Sequence, residues 1–252
     1  MSIELFSQPT VTLIDHMGDD NSIVRSARVS VTGEQLADGF PSEEEAQTLP
    51  FGDLEERRKR ATGLINYLVR EKHGSPFEQN SMTFYVKAPI FVFREFMRHR
   101  VGFSYNEMSG RYTKLKPEFW IPGEDRPLVN IGTSAKPEMA PGSIEQWERQ
   151  VKRMSRVYDV AWEAYEEALE DGIANEVARA VLPVGIYSQM YVTLNLRSAL
   201  NFLSLRTHEK EAAHVSRPQR EIEDVARIIE THVAELFPVA YAKYNEHGRV
   251  AP

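Results

Sequence analysis

The chain of 252 residues contains no cysteine. Disulfides, thiolate zinc sites, iron–sulfur clusters and cysteine nucleophiles are therefore excluded. No uninterrupted apolar run reaches the ~18 residues that read as a membrane span. The N-terminal Met1-Ser2-Ile3-Glu4-Leu5 has neither the basic nor the apolar region of a signal peptide, so the expectation is a cytoplasmic protein that does not partner a membrane. A Walker loop is missing, as is a G-x-G-x-x-G after a strand, which leaves P-loop and Rossmann sites unsupported. Positive charge is also in deficit: 30 Lys and Arg stand against 37 Asp and Glu, a formal net charge of −7. Non-specific binding to a polyanion is mainly counterion release by basic side chains, so nucleic acid is not an expected partner. A hydrophobic fraction of 42% and a charged fraction of 27% are ordinary for a globular protein.

Periodicity predicts a helix-rich α+β fold in one domain, residues 1–252, around a small antiparallel sheet. Val11–Ile14 reads as a strand, and Asp20 or Asn21 as the cap of a helix through Ser30. Residues 31–53 read mostly as loop. A helix is predicted over Leu54–Lys72, where apolar residues recur at helical spacing. Met82, Phe84 and Val86 alternate with polar residues in a half-buried strand. Pro89 suits the first turn of a helix reaching Arg100, which would put Arg94, Glu95, Arg98 and His99 on one face. Thr113–Gly142 carries five prolines and reads as irregular. Ser143 and Gln146 form a capping-box pattern for a helix ending before Gly172. A short helix over Asn175–Leu182, a strand over Tyr187–Leu194, a helix over Ser198–Arg206 and a long helix from Pro218 complete the chain.

The chemistry is concentrated in Arg98–Tyr112, where three guanidiniums, an imidazole and a carboxylate crowd a short stretch of an acidic chain. Guanidinium forks match phosphate oxygens, and a loop rich in Ser, Asn and Gly can add backbone N–H groups. A structural ion-pair network has the same composition, and the residues alone leave both readings open. Arg179, Arg197 and Arg206 follow apolar runs, where a charge needs a partner. His208 and His214 lie six residues apart, on different faces of any helix, unlike a zinc-binding H-E-x-x-H.

In order and spacing, His73–Glu78, Val86–Val92, Arg98–Tyr112, Val177–Pro183 and Asn195–Arg206 resemble the flavin-dependent thymidylate synthases, and the likeness extends over nearly the whole chain. The resemblance implies a homotetramer with active sites between subunits. Its reaction would convert dUMP to dTMP with bound FAD, NADPH as reductant and methylenetetrahydrofolate as carbon donor. It implies flavin contacts from Ser75 of a neighbouring subunit and from Arg98, His99, Arg100, Glu107, Asn195, Leu196, Arg197 and Asn201. Nucleotide contacts would come from Glu95, Arg98, Glu107, Met108, Ser109, Gly110, Arg111, Arg179 and Arg206, with His73 close to the folate. Arg206 would be catalytic, its fixed positive charge favouring ionisation at N3 of the uracil. Ser109 has no base beside it in sequence, so its hydroxyl reads as a binding group. Two departures stand out. Eight residues, Val101–Met108, separate the Arg-His-Arg triplet from Ser109, one more than the family's usual seven. Where the family has Ser-His-Ala-Gln soon after the arginine, this chain first runs through Thr207–Arg217. A non-catalytic nucleotide-binding module, or a flavoprotein that methylates another uracil-containing substrate, would use the same arginines.

Overall fold

The structure, a computed structural model, describes residues 2–33, 39–134 and 136–252. Its centre is a four-stranded antiparallel sheet in the order β2 (Thr10–Met17), β3 (Ser81–Pro89), β8 (Tyr187–Leu194), β4 (Phe103–Glu107). Alternation decides which face is buried. Met82, Phe84 and Val86 point into the core opposite Leu194, Val192 and Met190, while Tyr85 and Tyr191 pair on the other face. A smaller parallel pair joins β1 (Glu4–Phe6) to β5 (Glu118–Trp120), and β6 (Val129–Asn130) pairs with β7 (Met139–Ala140). Thr113–Gly142 is thus not wholly irregular.

Helices cover the apolar face of the sheet: α1 (Asp20–Thr32), α3 (Phe51–Arg70), α4 (Ile90–Phe96), α7 (Leu196–Arg206), α8 (Arg220–Leu236) and α9 (Pro238–Glu246). Helical spacing predicts that Ile222, Val225, Ile229, Val233 and Leu236 share the buried face of α8; the first four are buried and Leu236 is partly so. A second apolar cluster forms where α5 (Ile144–Glu170) lays Tyr158, Trp162 and Tyr165 against Phe119, whose ring stacks 4.5 Å from that of Tyr158. Ser143 and Gln146 make the predicted capping box.

Several boundaries differ from the sequence reading, each for a local reason. The cap of α1 is Asp19, paired reciprocally with Ser22. Asp20 is otherwise engaged: buried at 6% exposure, its carboxylate accepts the N–H groups of Val239 and Ala240 at the start of α9. Asn21 accepts the N–H of Phe40. Within the stretch read as loop, Ser42 and Glu45 cap a short helix, α2 (Glu43–Thr48), and α3 already begins at Phe51; residues 34–38 of that stretch lie outside the described residues. The last long helix starts at Arg220 and breaks at Phe237, where Pro238 opens α9.

The segment read as a helix to Arg100 and a loop beyond it is built differently. The helix α4 stops at Phe96, and the chain tightens into a turn with the His99 N–H donating to Phe96 O at 2.8 Å. The Tyr105 hydroxyl, 2.7 Å from Phe96 O and 2.8 Å from His99 O, holds that turn closed. Arg98 and His99 therefore sit in the turn beyond the helix rather than on it, and that turn keeps His99 within reach of the same guanidinium as Glu95, that of Arg206. Gly102 then adopts φ +68, and a Cβ there would stand 2.1 Å from Ser198 Oγ. This left-handed turn delivers the chain into β4.

Asn80 ties two parts of the candidate site together. Buried at 4% exposure, it donates to Phe77 O at 3.1 Å and accepts the Leu196 N–H at 2.7 Å. The turn containing Ser75 is thereby fixed to the start of α7. Asn80→Ala strands two buried backbone groups at about 1–3 kcal/mol each. The expected loss of stability is about 2–4 kcal/mol, read from urea unfolding midpoints.

Candidate active site

Arg206, the last residue of α7, directs its guanidinium at α4 and the turn after it. Nη1 donates to Glu95 Oε2 at 2.6 Å, Nη2 to Glu95 O at 3.3 Å, and Nε to His99 Nε2 at 3.0 Å. The side chains of Arg206 and Glu95 are only 14% and 27% exposed, so the charge is held in place by its partners rather than by water. His99 is buried, edge-on to Phe202 with centroids 4.9 Å apart. To accept from Arg206 its Nε2 must be unprotonated. Burial, then the positive charges of Arg206 and Arg98, push its pKa down to about 4, against a smaller opposing pull from Glu95.

The other residues expected at a flavin extend from this triad along α7 to its N-terminal end. Arg98 and Arg100 are exposed, with no ion-pair partner among the described residues. Asn195 caps α7 by accepting the Ser198 N–H at 2.9 Å, and Ser198 Oγ donates to Val101 O. Leu196 is fully buried, so its side chain is part of the core, whereas Asn201 is exposed. Arg197 donates to Glu78 Oε1 at 2.5 Å and to Pro252 O at 2.7 Å. Gly74, just before the exposed Ser75, allows that approach, since a Cβ there would stand 2.4 Å from the guanidinium. Unpaired guanidiniums beside a backbone cradle of this kind fit the pyrophosphate of a dinucleotide.

A second group gathers at the other end of β4. Met108 continues past the strand with its N–H on Gln189 O, and Ser109 Oγ accepts the Arg111 N–H. Gly110 packs against Arg179, where a Cβ would meet Cδ at 3.3 Å. Arg111 pairs with Glu176 of α6 (Asn175–Ala178) at 2.9 Å. Within one chain, then, Glu95 and His99 meet Arg206 at the C-terminal end of α7, and the turn after His99 runs along the helix to Asn195 and Ser198 at its other end, about 15 Å away at the rise of an α-helix. Met108–Arg111 and Arg179 form a separate half-site beyond the Glu107 end of β4, roughly 14 Å from its Phe103 end at the rise of an extended strand. Glu107 itself, half-buried, closes the strand.

Glu78, Asn80, Gly102, Tyr105 and Ser198 hold this site and were not singled out from sequence. All but Asn80 fall within the blocks that carry the resemblance, and Tyr105 also left a signal of its own, in the alternation of Phe103 and Tyr105 with Ser104 and Asn106 that marks a strand.

The His99 environment yields a pH dependence. In the unfolded chain the imidazole takes its proton near pH 6.5, but in the fold not until about pH 4. Between these values the unfolded state binds the extra proton, so stability is lost as pH falls through that window. His99→Gln offers an acceptor that does not titrate. Urea midpoints measured at pH 7 and pH 5 are expected to differ less in that variant than in the wild type.

Known proteins share this architecture over the full chain. The crystal structure of a UMP/dUMP methylase, PolB from Streptomyces cacaoi, bound with 5-Br UMP superposes with a TM-score of 0.87 at 42% identity, covering all of both chains. The same methylase bound with 5-Br dUMP gives 0.86 at 44% identity. A flavin-dependent thymidylate synthase of Streptomyces avermitilis is 50% identical over 246 residues, 98% of this chain and 94% of its own. One from Tropheryma whipplei is 46% identical over 98% of this chain and 96% of its own. The thymidylate synthase complementing protein family matches residues 12–239, and the chain belongs to that family, the flavin-dependent thymidylate synthases.

Proposed function

We propose that this protein converts dUMP to dTMP by reductive methylation. It does so with bound FAD, NADPH as reductant and methylenetetrahydrofolate as carbon donor, as a cytoplasmic homotetramer built from one domain per chain. The observation that carries this reading is the Arg206 guanidinium, braced by Glu95 and neutral His99 at the mouth of a helix, in a chain of this family without cysteine. A cysteine attack on the pyrimidine is unavailable, and a preorganised positive charge is the alternative means of stabilising negative charge as it develops on the uracil. When bound, the flavin supplies the reducing equivalents that take the transferred carbon to a methyl group.

The chain's own residues divide the remaining work. Arg206 faces the uracil. Arg98, exposed beside the triad, lies between nucleotide and flavin, while Arg100, Asn195 and Arg197 bind the flavin. Met108–Arg111 and Arg179 hold the nucleotide phosphate and sugar. Separation of the two groups at opposite ends of β4 supports a site completed by a second copy, with Ser75 reaching a neighbour's flavin. The match to a methylase bound with both UMP and dUMP analogues favours a second reading, in which the ribonucleotide is also accepted.

Purified protein is expected to be yellow and to form dTMP from dUMP with NADPH and methylenetetrahydrofolate. A colourless protein that neither takes up FAD nor forms dTMP overturns the proposal. UMP assayed in parallel decides the second reading. Arg206→Ala is expected to lower kcat by about 10²–10³ or more, the typical loss of one charge-stabilising donor, with little change in thermal midpoint. Arg98→Ala is expected to weaken both FAD and dUMP binding, read by titration of the flavin absorbance.

A further inference from the structure

Arg206 stands at the C-terminal end of α7, where helices fray unless their last carbonyls are held. Thr207 closes that end. It is 2% exposed, its N–H and Oγ1 both donate to Leu203 O, and it leads into the Thr207–Arg217 segment that departs from the family pattern. Far from being a free charged loop, this segment is fastened at each turn. His208 N–H reaches Glu223, its ring nitrogen Nδ1 meets Ser216 O at 2.7 Å, Ser216 Oγ donates to Leu205 O, and Arg227 donates to His208 O.

Two buried charges complete the arrangement. Arg249 and Glu230 are 8% and 7% exposed and pair at 2.5 Å. The same Arg249 Nη2 donates to Thr207 Oγ1 at 2.9 Å, and Nη1 to Asn245 Oδ1 at 2.6 Å. Arg249 has φ +60, a left-handed geometry that costs a non-glycine residue free energy and persists only where the surroundings over-determine it. Its position is fixed by those bonds and by its N–H on Tyr244 O. The residues that follow carry Val250 O to Lys72 and Pro252 O to Arg197.

We infer that Arg249 is a positioning residue for Arg206, acting through the Thr207 hydroxyl. A nucleotide that takes over guanidinium donors now given to Glu95 leaves the side chain dependent on its backbone anchor, and Arg249 supplies that anchor. The same five-residue turn, Gly248–Pro252, braces Arg197, so both site arginines are set by one buried clamp. The inference rests on the reading of Arg206 as a nucleotide contact.

The test is a double-mutant cycle on FAD-loaded protein with the dissociation constant of dUMP, measured by calorimetry, as readout. Thr207→Val keeps the shape and the Arg249–Glu230 pair but removes the bridging hydroxyl. It is expected to weaken dUMP binding about fivefold, the scale of one hydrogen bond. In an Arg206→Ala background the same change is expected to be less than about twofold, because coupled residues are not additive. A merely structural role would weaken binding equally in both backgrounds, and that result, or no weakening at all, overturns the inference. Should Thr207→Val not fold, Glu230→Gln with Arg249→Met removes both buried charges together, avoiding a lone one, and is put through the same cycle. If Arg206→Ala itself leaves dUMP affinity unchanged, the nucleotide role of Arg206 fails and this inference falls with it; if Arg206→Ala weakens binding and the cycle is additive, only this inference fails.

Discussion

A guanidinium brought out of bulk water must be met by acceptors, because no shift of protonation relieves it. Arg206 is 14% exposed at the end of a helix whose other face is core, and much of the local architecture meets that demand. Glu95 comes from α4, His99 from the turn after it, and the turn exists because Tyr105 and Gly102 close it against α7. His99 is a proper acceptor only while neutral, and burial beside two arginines keeps it so. The same constraint operates behind the helix, where the Arg249–Glu230 pair is buried and each member satisfies the other.

The sheet turns these local arrangements into a site. Pairing of β4 with β8 from Phe103↔Leu194 to Glu107↔Met190 places the Arg98–Arg100 turn beside Asn195 and sends Met108–Arg111 toward Arg179. One contiguous signature is therefore split over the two ends of an edge strand. A short strand is a rigid spacer, so the two groups of arginines stay apart within a chain. The left-handed turn at Gly102 lies just before that spacer begins.

Much of the fold was legible because burial imposes a period. The stripes of α3 and α8 and the alternation of β3 survive as predicted, since each element can reach the core with only one face. Misread elements lacked that signature or were decided by distant partners. Strand β4 shows the alternation, but its Ser104 and Asn106, just after Gly102, resemble a loop. The small helix α2 buries nothing, so only its capping box could have announced it. Asp20 looks like a cap to its own helix and instead caps α9, more than two hundred residues away.

Sequence alone determined the chemical inventory: no thiol, an arginine-rich signature, three further arginines after apolar runs, and a helix-rich α+β pattern. These follow from residue identity and from periods of two and 3.6, which are local properties. Tertiary structure decided the pairings. That Arg206 meets Glu95 and His99, that Arg197 meets Glu78, that Asn80 joins a turn to a helix, and that Arg249 reaches Thr207 all depend on contacts between residues 42 to 119 positions apart. Such contacts leave no period in the chain, because which charge satisfies which is settled only when the core has brought them together and excluded water.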